Sequence, residues 1–503
     1  MNGNQPLKSL HIITLFALFC GLASLLVAGS ALALRPNILL ITADDMSWDS
    51  VGVYGCPVEE TTPNIDRLAS EGIQFDYGYV QIAICTPSRQ VMLSGSHSHQ
   101  TMTRCFTEME RVGPTLPDVL KQNGYHIANI NKRQNHYDWD TVIDEPDSGF
   151  GRDIPFHGEA VRGIIEAAGE KPWFIMANFN DPHRPFHGSD AEKVWTKYDA
   201  ARFSNPSRVY GVDEIVVPGF LPDLTDVRME MAQYYSSVRR CDDGVGAILG
   251  TLENSSEAKN TIVVFMSDHG ISNPFSKMNC YQVSLRVPLI VRYPGKIEAG
   301  RRDKFNMVSA VDLAPTLLEL AGLDVPKTMA GRSFVRLLEG EDQDGRDYVI
   351  GYYYRNLRQT VLYPEFTVQM RDWVYIYNPW VDGVTAVHNS DYTGSPTLLA
   401  MWEAAETVPS IKERTEFHKY RVREELYNVR QDPHAYINVA AASENRERIA
   451  EMQTILVHWM EETEHPALKL MKEPHNEELI AEYMEWEREN AVKQVEEVKR
   501  GKR

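Results

Sequence analysis

The sequence predicts an α/β fold: a large, mostly parallel central sheet flanked by helices, followed by a smaller C-terminal α+β domain built on an antiparallel sheet. Three observations carry that expectation. Several short apolar runs are continuous rather than alternating, as in strands buried on both faces. Amphipathic segments of helical period separate them. Beyond about Gly351 the pattern changes to aromatic-rich, alternating stretches of the antiparallel kind.

The first segment stands apart. Lys8 precedes the apolar run HIITLFALFCGLASLLVAG and the small-residue stretch SALA before Arg35, which is the order of a secretory signal peptide. A retained membrane anchor is the alternative, because the run is nearly long enough to span a bilayer. Ala31 and Ala33 supply the small side chains that a signal peptidase reads, while Phe19 before Cys20 is too bulky for a good lipoprotein site. The expectation is an exported protein, periplasmic, extracellular or lysosomal according to its source. Residues 1–33 form the signal, 34–350 the domain of the large sheet, 351–470 the C-terminal subdomain and 471–503 a charged helical tail.

The expected parallel strands are NILLITA (37–43), YHIANI (125–130), WFIMANF (173–179), TIVVFMS (261–267) and PLIVRY (288–293), with helices at about 64–71, 115–122 and 228–252. Antiparallel strands follow from 351, then a helix at about 444–462 and a tail from 473 that reads as a solvated helix. What comes after each strand matters most. The first ends on Asp44-Asp45, the second on Asn131-Lys132, the third on Asn180-Asp181-Pro182-His183 and the fourth on Asp268-His269-Gly270. Ligands of open parallel sheets bind at the carboxyl ends of the strands, so four strands deliver carboxylates, a lysine and histidines to one edge.

The chain has 503 residues and a formal net charge of −19, and loss of Lys8 with the signal makes it one unit more negative. Such a chain repels nucleic acid and anionic lipid at long range. No nucleic-acid partner is expected, nor stable membrane insertion after cleavage, and an anionic substrate needs local cations or a metal. Asp44, Asp45 and Asp268 could gather around a hard divalent cation. Adjacent aspartates alone are more often a turn or a cap, and the shared sheet edge with His269 shifts the reading towards metal. Arg89, Lys132, Lys277 and His183 would together form a pocket for a tetrahedral oxyanion, although each alone reads as a solvated surface residue.

Cys85 lies in ICTPSRQVMLSG, where RQVMLSG reads as a short helix. A thiol at a helix N-terminus has a lowered pKa and is reactive; a core thiol or a disulfide half are the alternatives. Cys56, Cys85, Cys105, Cys241 and Cys280 are an odd number, so in an oxidising compartment four could pair and leave one over.

The run Cys85-Thr86-Pro87-Ser88-Arg89, continued by Leu93-Ser94-Gly95, resembles the signature of the type I, formylglycine-dependent sulfatases of the alkaline phosphatase superfamily, and especially the branch that holds sulfamidase (N-sulfoglucosamine sulfohydrolase) and iduronate sulfatase. RPNILLITADDMSWDSVGVYG, DPHRPF, VVFMSDHG, LRVPLIVRYPG, VDLAPTLLELAG and ELYNVRQDPHAYINVA are similar to that family in the same order. The resemblance implies conversion of Cys85 to formylglycine (3-oxoalanine) by a formylglycine-generating or maturase enzyme. It also implies one Ca2+ held by Asp44, Asp45, Asp268, His269 and the modified Cys85. Arg89 would orient the formylglycine and Lys277 grip the sulfate. Lys132 matches the family's lysine, with the usual Gly-Lys-x-His spacing altered to NKRQNHY, so that His136 is the match offered for the second histidine. His183 matches the histidine that contacts sulfate and leaving group.

The activity so implied is hydrolysis of sulfate from a sulfated carbohydrate. One hydroxyl of the hydrated aldehyde attacks sulfur, His183 or His136 protonates the leaving group, and the second hydroxyl expels sulfate. S–N cleavage of an N-sulfonate, phosphodiester or phosphonate monoester hydrolysis on the same scaffold, and a glycan-binding protein without catalysis are the alternatives. Arg184, His187, Tyr353 and Trp380 are offered as sugar contacts, with ordinary structural roles as the competing reading.

Overall fold

The computed structural model describes residues 35–107, 109–144, 150–196, 203–355, 362–387 and 392–501. The expected signal segment, with Lys8 and Cys20, lies outside them. The apolar run NILLITA takes the centre: β1 (Asn37–Asp44) is buried along its whole length, with β5 (Trp173–Pro182) on one side and β6 (Thr261–Ser267) on the other. Leu39 pairs with Ile175 and with Val263, so branched and long aliphatic side chains fill both faces, as strands covered by helices require. β3 (His126–Ile130) and β4 (Thr141–Ile143) continue the sheet beyond β5, and β7 (Leu289–Arg292), β2 (Ile73–Tyr79) and β8 (Arg301–Ser309) continue it beyond β6.

The order β4-β3-β5-β1-β6-β7-β2-β8 is parallel except at β7, which runs antiparallel to both β6 and β2. PLIVRY therefore forms the expected strand in the opposite direction. A run buried on both faces has the same composition whichever way it points, so the sequence carried no sign of direction. β2, β4 and β8 had no such apolar run to announce them. β8 holds Arg301, Arg302, Asp303 and Lys304 at the sheet edge, where charged side chains blunt an exposed strand.

Helices cover the sheet where the sequence placed them, at Pro63–Ser70, Leu116–Gln122 and Thr225–Glu253. The last packs on β5 and on a fourth, Ile154–Ala168, whose N-terminus is capped by the Asp153 carboxylate accepting from Phe156 N at 3.2 Å.

The second sheet is antiparallel in the order β12-β11-β10-β9: β9 (Tyr348–Arg355), β10 (Leu362–Met370), β11 (Trp373–Tyr377) and β12 (Glu424–Asn428). Helix Arg446–Glu462 buries Met452, Leu456 and Trp459. The tail helix Glu477–Gly501 is less solvated than its charge suggested. Ile480, Tyr483 and Ala491 are buried, and Glu487 makes a buried ion pair with Arg104 of the large domain. The three apolar residues recur near helical period among charges, a narrow stripe that the overall charge obscured.

Candidate active site

The parallel strands end together, and the chain turns sharply as it leaves them. Asp45, one residue past β1, has φ 67°, while Asn131 and Lys132 after β3 have φ 53° and 46°. Left-handed backbone is uncommon outside glycine and clusters where surrounding structure holds it for function. At β6 the turn is Asp268-His269-Gly270, and a Cβ at position 270 would lie 1.9 Å from the Val283 carbonyl oxygen, so only glycine fits there.

Cys85 opens helix Cys85–Ser94, and Ser88 Oγ donates to the Asp268 carbonyl at 2.6 Å, tying the helix to the end of β6. Its Sγ lies 3.4 Å from Asp44 Oδ1 and 3.4 Å from His269 Nε2. Burial, and then the Asp44 charge, push the Cys85 thiol well above the ordinary cysteine range. The shift runs opposite to the acidified thiol expected from a helix N-terminus: burial first, and the facing carboxylates after it, disfavour the thiolate. The described cysteines 56, 85, 105, 241 and 280 form no disulfide with one another, so the possible pairing of four is not found among them.

Arg89, one helical turn on, is fully buried. Its Nε donates to Asp268 Oδ2 at 3.0 Å, its NH2 lies 3.4 Å from Asp44 Oδ2, and its NH1 donates to Thr42 Oγ1 at 2.6 Å and to Asn178 Oδ1. Lys132 Nζ pairs with Asp44 Oδ2, and Lys277 Nζ lies 2.9 Å from Asp45 Oδ1. Burial raises the Asp44 carboxyl, but Lys132, His183, Arg89 and Lys277 together carry it well below the usual carboxylate range. Burial dominates at Asp45, which has Lys277 for relief and Asp44 and Asp268 against it, so its carboxyl is pushed well up.

The donors fit a metal. Asp44, Cys85, Asp268 and His269 bring one ligand atom each within 4.8 Å of one another, and so do Asp44, Asp45, Cys85 and His183. Asp45 Oδ2 is buried with no hydrogen-bond partner, a costly state for an anionic oxygen unless a cation takes it. His269 Nδ1 donates to the Gly270 carbonyl at 3.0 Å, and burial lowers the pKa of this ring. The neutral ring so fixed turns the lone pair of Nε2 towards Cys85, as a ligating histidine requires.

His183 Nε2 lies 3.9 Å from Asp45 Oδ2, and its Nδ1 donates to the Arg184 carbonyl at 2.5 Å. Behind it, Arg152 donates to Asp181 Oδ1 at 3.1 Å and to the His183 carbonyl at 2.7 Å, and Arg240 grips Asp181 from the other side. His136 is half-buried, and its carbonyl accepts from the Arg111 guanidinium. It takes no part in the two metal-donor groups. The four residues offered as sugar contacts are built into the fold. Arg184 donates to the Ser272 carbonyl and Asn273 and pairs with Glu230, His187 meets Arg240 and Glu192, and Tyr353 and Trp380 are buried.

Sequence reasoning passed over Asn178, Thr42, Arg152 and Arg240. Asn178 and Thr42 were each a polar residue inside an apolar strand run, which is the signal that could have found them, because a strand buried on both faces accepts such a residue only with a partner.

The chain matches the Sulfatase family over residues 36–323 and the N-sulphoglucosamine sulphohydrolase C-terminal family over residues 268–382. Human N-sulphoglucosamine sulphohydrolase is 28% identical over 477 residues, covering 88% of this chain and 93% of that protein. An ulvan-active sulfatase of Formosa agariphila is 25% identical over 468 residues, covering 85% and 75%. A protein solved in complex with its substrate D-glucosamine-2-N,6-O-disulfate superposes with a TM-score of 0.63 at 20% identity, over 86% of this chain and 99% of that one. The phosphonate monoester hydrolase of Agrobacterium radiobacter gives a TM-score of 0.63 at 17% identity, over 85% and 96%, so the fold alone does not separate sulfate from phosphonate chemistry. The sequence matches do: the chain belongs to the sulfatase family.

Proposed function

We propose that this sulfatase hydrolyses a sulfated saccharide, using a formylglycine made from Cys85 by a maturation enzyme and one Ca2+ held by Asp44, Asp45, Asp268, His269 and position 85. The observation that carries the reading is the placement of Cys85 itself. It sits at a helix N-terminus in contact with Asp44 and His269, inside the buried cluster of donor atoms that Asp268 completes. A metal would supply concentrated positive charge beside the sulfate oxygens, and a formylglycine would supply a hydrated aldehyde as the nucleophile.

The chain's own residues do the rest. Arg89 fixes the directions of Asp268 and Asp44 from beneath. Lys132 and Lys277 each bring a three-donor ammonium group to the carboxylates Asp44 and Asp45, where it can also donate to a tetrahedral anion. Charge that develops on the sulfate oxygens therefore meets fixed cations, which costs no reorganisation at the moment of reaction. The Arg184 carbonyl holds the His183 ring by Nδ1, which sets Nε2 on the Asp45 side of the site, where in its protonated form it would give its proton to the leaving oxygen or nitrogen. Residues 1–33 are the proposed export signal, and a mature N-terminus at Leu34 in secreted material tests it.

Turnover of defined O- and N-sulfated saccharides, alongside matched aryl sulfate and aryl phosphonate, tests the reaction. Sulfate release that is lost in chelator and restored by calcium is expected. Preference for the phosphonate, or activity indifferent to chelation, overturns the proposal.

A further inference from the structure

Lys277 sits in a loop that its own sequence does not hold in place. Phe275 and Met278 flank it with φ 66° and 63°, conformations that non-glycine residues keep only when neighbours enforce them. Part of the enforcement is local: Lys277 N donates to the Ile271 carbonyl at 3.1 Å, and Met278 N to the Ala83 carbonyl, two residues before Cys85, at 2.9 Å. The remainder comes from the second sheet. Asn279 Nδ2 donates to the Lys277 carbonyl at 3.1 Å, and Asn279 Oδ1 accepts from Arg421 NH1 at 2.9 Å. Glu365 on β10 accepts from Cys280 N at 3.1 Å, and Gln369 Nε2 donates to the Cys280 carbonyl at 2.8 Å.

Arg421 is the centre of this arrangement. It follows helix Pro409–Tyr420 with φ 52° and ψ −174°, a region that is essentially reserved for glycine. Its side chain is fully buried. NH1 lies 3.2 Å from Glu365 Oε1, Nε donates to Glu425 Oε1 at 2.9 Å, and the guanidinium lies over the Tyr281 ring at 4.7 Å. Glu425 is saturated in turn, accepting from Tyr281 and Tyr427 hydroxyls at 2.9 and 2.7 Å and from Asn378 at 2.8 Å. A buried guanidinium between two buried carboxylates contributes little net stability, and its best-attested use is to fix one arrangement over others. Here the arrangement fixed ends on the backbone of Lys277, whose Nζ faces Asp45.

We infer that Arg421, acting through Asn279 and with Glu365 and Glu425 as its anchors, is a positioning residue that sets Lys277 in the sulfate pocket, so that the C-terminal sheet completes the site without touching substrate. This rests on the assignment of Lys277 to the sulfate.

A double-mutant cycle on the mature, calcium-loaded full chain tests it. With an aryl sulfate as substrate and inorganic sulfate as inhibitor, N279A and R421K are each expected to cost about tenfold in kcat/KM, of the order of one lost hydrogen bond to a charged group. The loss should appear in KM and in weakened inhibition by sulfate. In a K277A background the same changes are expected to cost less than about twofold. N279A removes the link and leaves the Arg421 ion pairs, so a melting temperature that, though lowered by the stranded groups, stays well above the assay temperature separates positioning from misfolding. Equal losses with and without Lys277, or no loss in either background, overturn the inference while leaving the sulfate-binding role of Lys277 intact. A K277A enzyme as active and as sulfate-sensitive as the native one overturns that role, and the inference with it. Sulfate binding by calorimetry gives the same cycle where K277A turns over too slowly.

Discussion

Arg89 shows how one residue sets the geometry of the site. Its guanidinium reaches Asp268, Asp44, Thr42 and Asn178 with no surface exposed, so removal strands two buried carboxylates and leaves Asn178 without its charged partner. R89A is expected to lower kcat by at least about a hundredfold and to destabilise the fold by about 3–5 kcal/mol, as for any buried pair with one partner deleted. R89K keeps the charge but lacks the fork, and should fold better than R89A with activity still strongly reduced. Denaturant titration alongside steady-state kinetics checks both. Asn178 gives the complementary case. N178A leaves the cations in place and should cost about 1–3 kcal/mol of stability from the stranded groups, read by the same titration. Neither effect was visible from residue type. Arg89 was legible because it stood in a recognisable run after Cys85, whereas Asn178 lay inside a strand and drew no attention until its side chain met Arg89.

At the scale of elements, strand ends were easy to read and strand directions were not. Polar residues that follow an apolar run are displayed at a sheet edge by any parallel strand, which is why Asp44, Lys132, His183 and Asp268 could be placed together before their contacts were known. β7 reversed, and β8 hid in a charged stretch, because neither direction nor edge position is written in hydrophobic period. At the site itself, the turn after β3 carries Lys132 to Asp44, and four residues on, past the altered spacing, the His136 carbonyl accepts from Arg111.

The packing of elements also carries a pH dependence. His97 accepts from Trp459 Nε1 at 3.2 Å at its Nε2 and meets the Tyr352 hydroxyl with Nδ1, joining the loop after helix Cys85–Ser94 to helix Arg446–Glu462. Burial lowers the His97 pKa to about 4. Between that value and the ordinary histidine pKa of about 6.5 the unfolded chain binds a proton that the folded chain refuses. Stability from this residue is therefore present above pH 6.5 and lost as pH falls towards 4. The melting temperature of the native protein should drop across that window, and H97Q should flatten the drop.

Across the whole molecule, two sheets share one continuous hydrophobic core beside the pocket. The large sheet delivers the metal donors and the C-terminal sheet braces the loop that carries Lys277. The family and the architecture were legible because motifs recur in order along nearly the whole chain. The brace was not, since Arg421 lies 144 residues from Lys277 in sequence and is meaningful only through Asn279. The uncompensated oxygen of Asp45 makes a further prediction at this scale. Calcium should raise the melting temperature in proportion to the logarithm of its concentration above Kd, and D45N should lose most of that rise, as read by differential scanning calorimetry.

The most direct test of the central claim sets sulfate release against the chemical state of position 85. Preparations made with graded amounts of maturation enzyme would be analysed by peptide mass for the fraction of thiol converted to aldehyde, and assayed on one sulfated saccharide in saturating calcium. The account predicts activity proportional to the aldehyde fraction, falling to near zero for pure thiol. Full activity in a preparation whose Cys85 is entirely unconverted would contradict it.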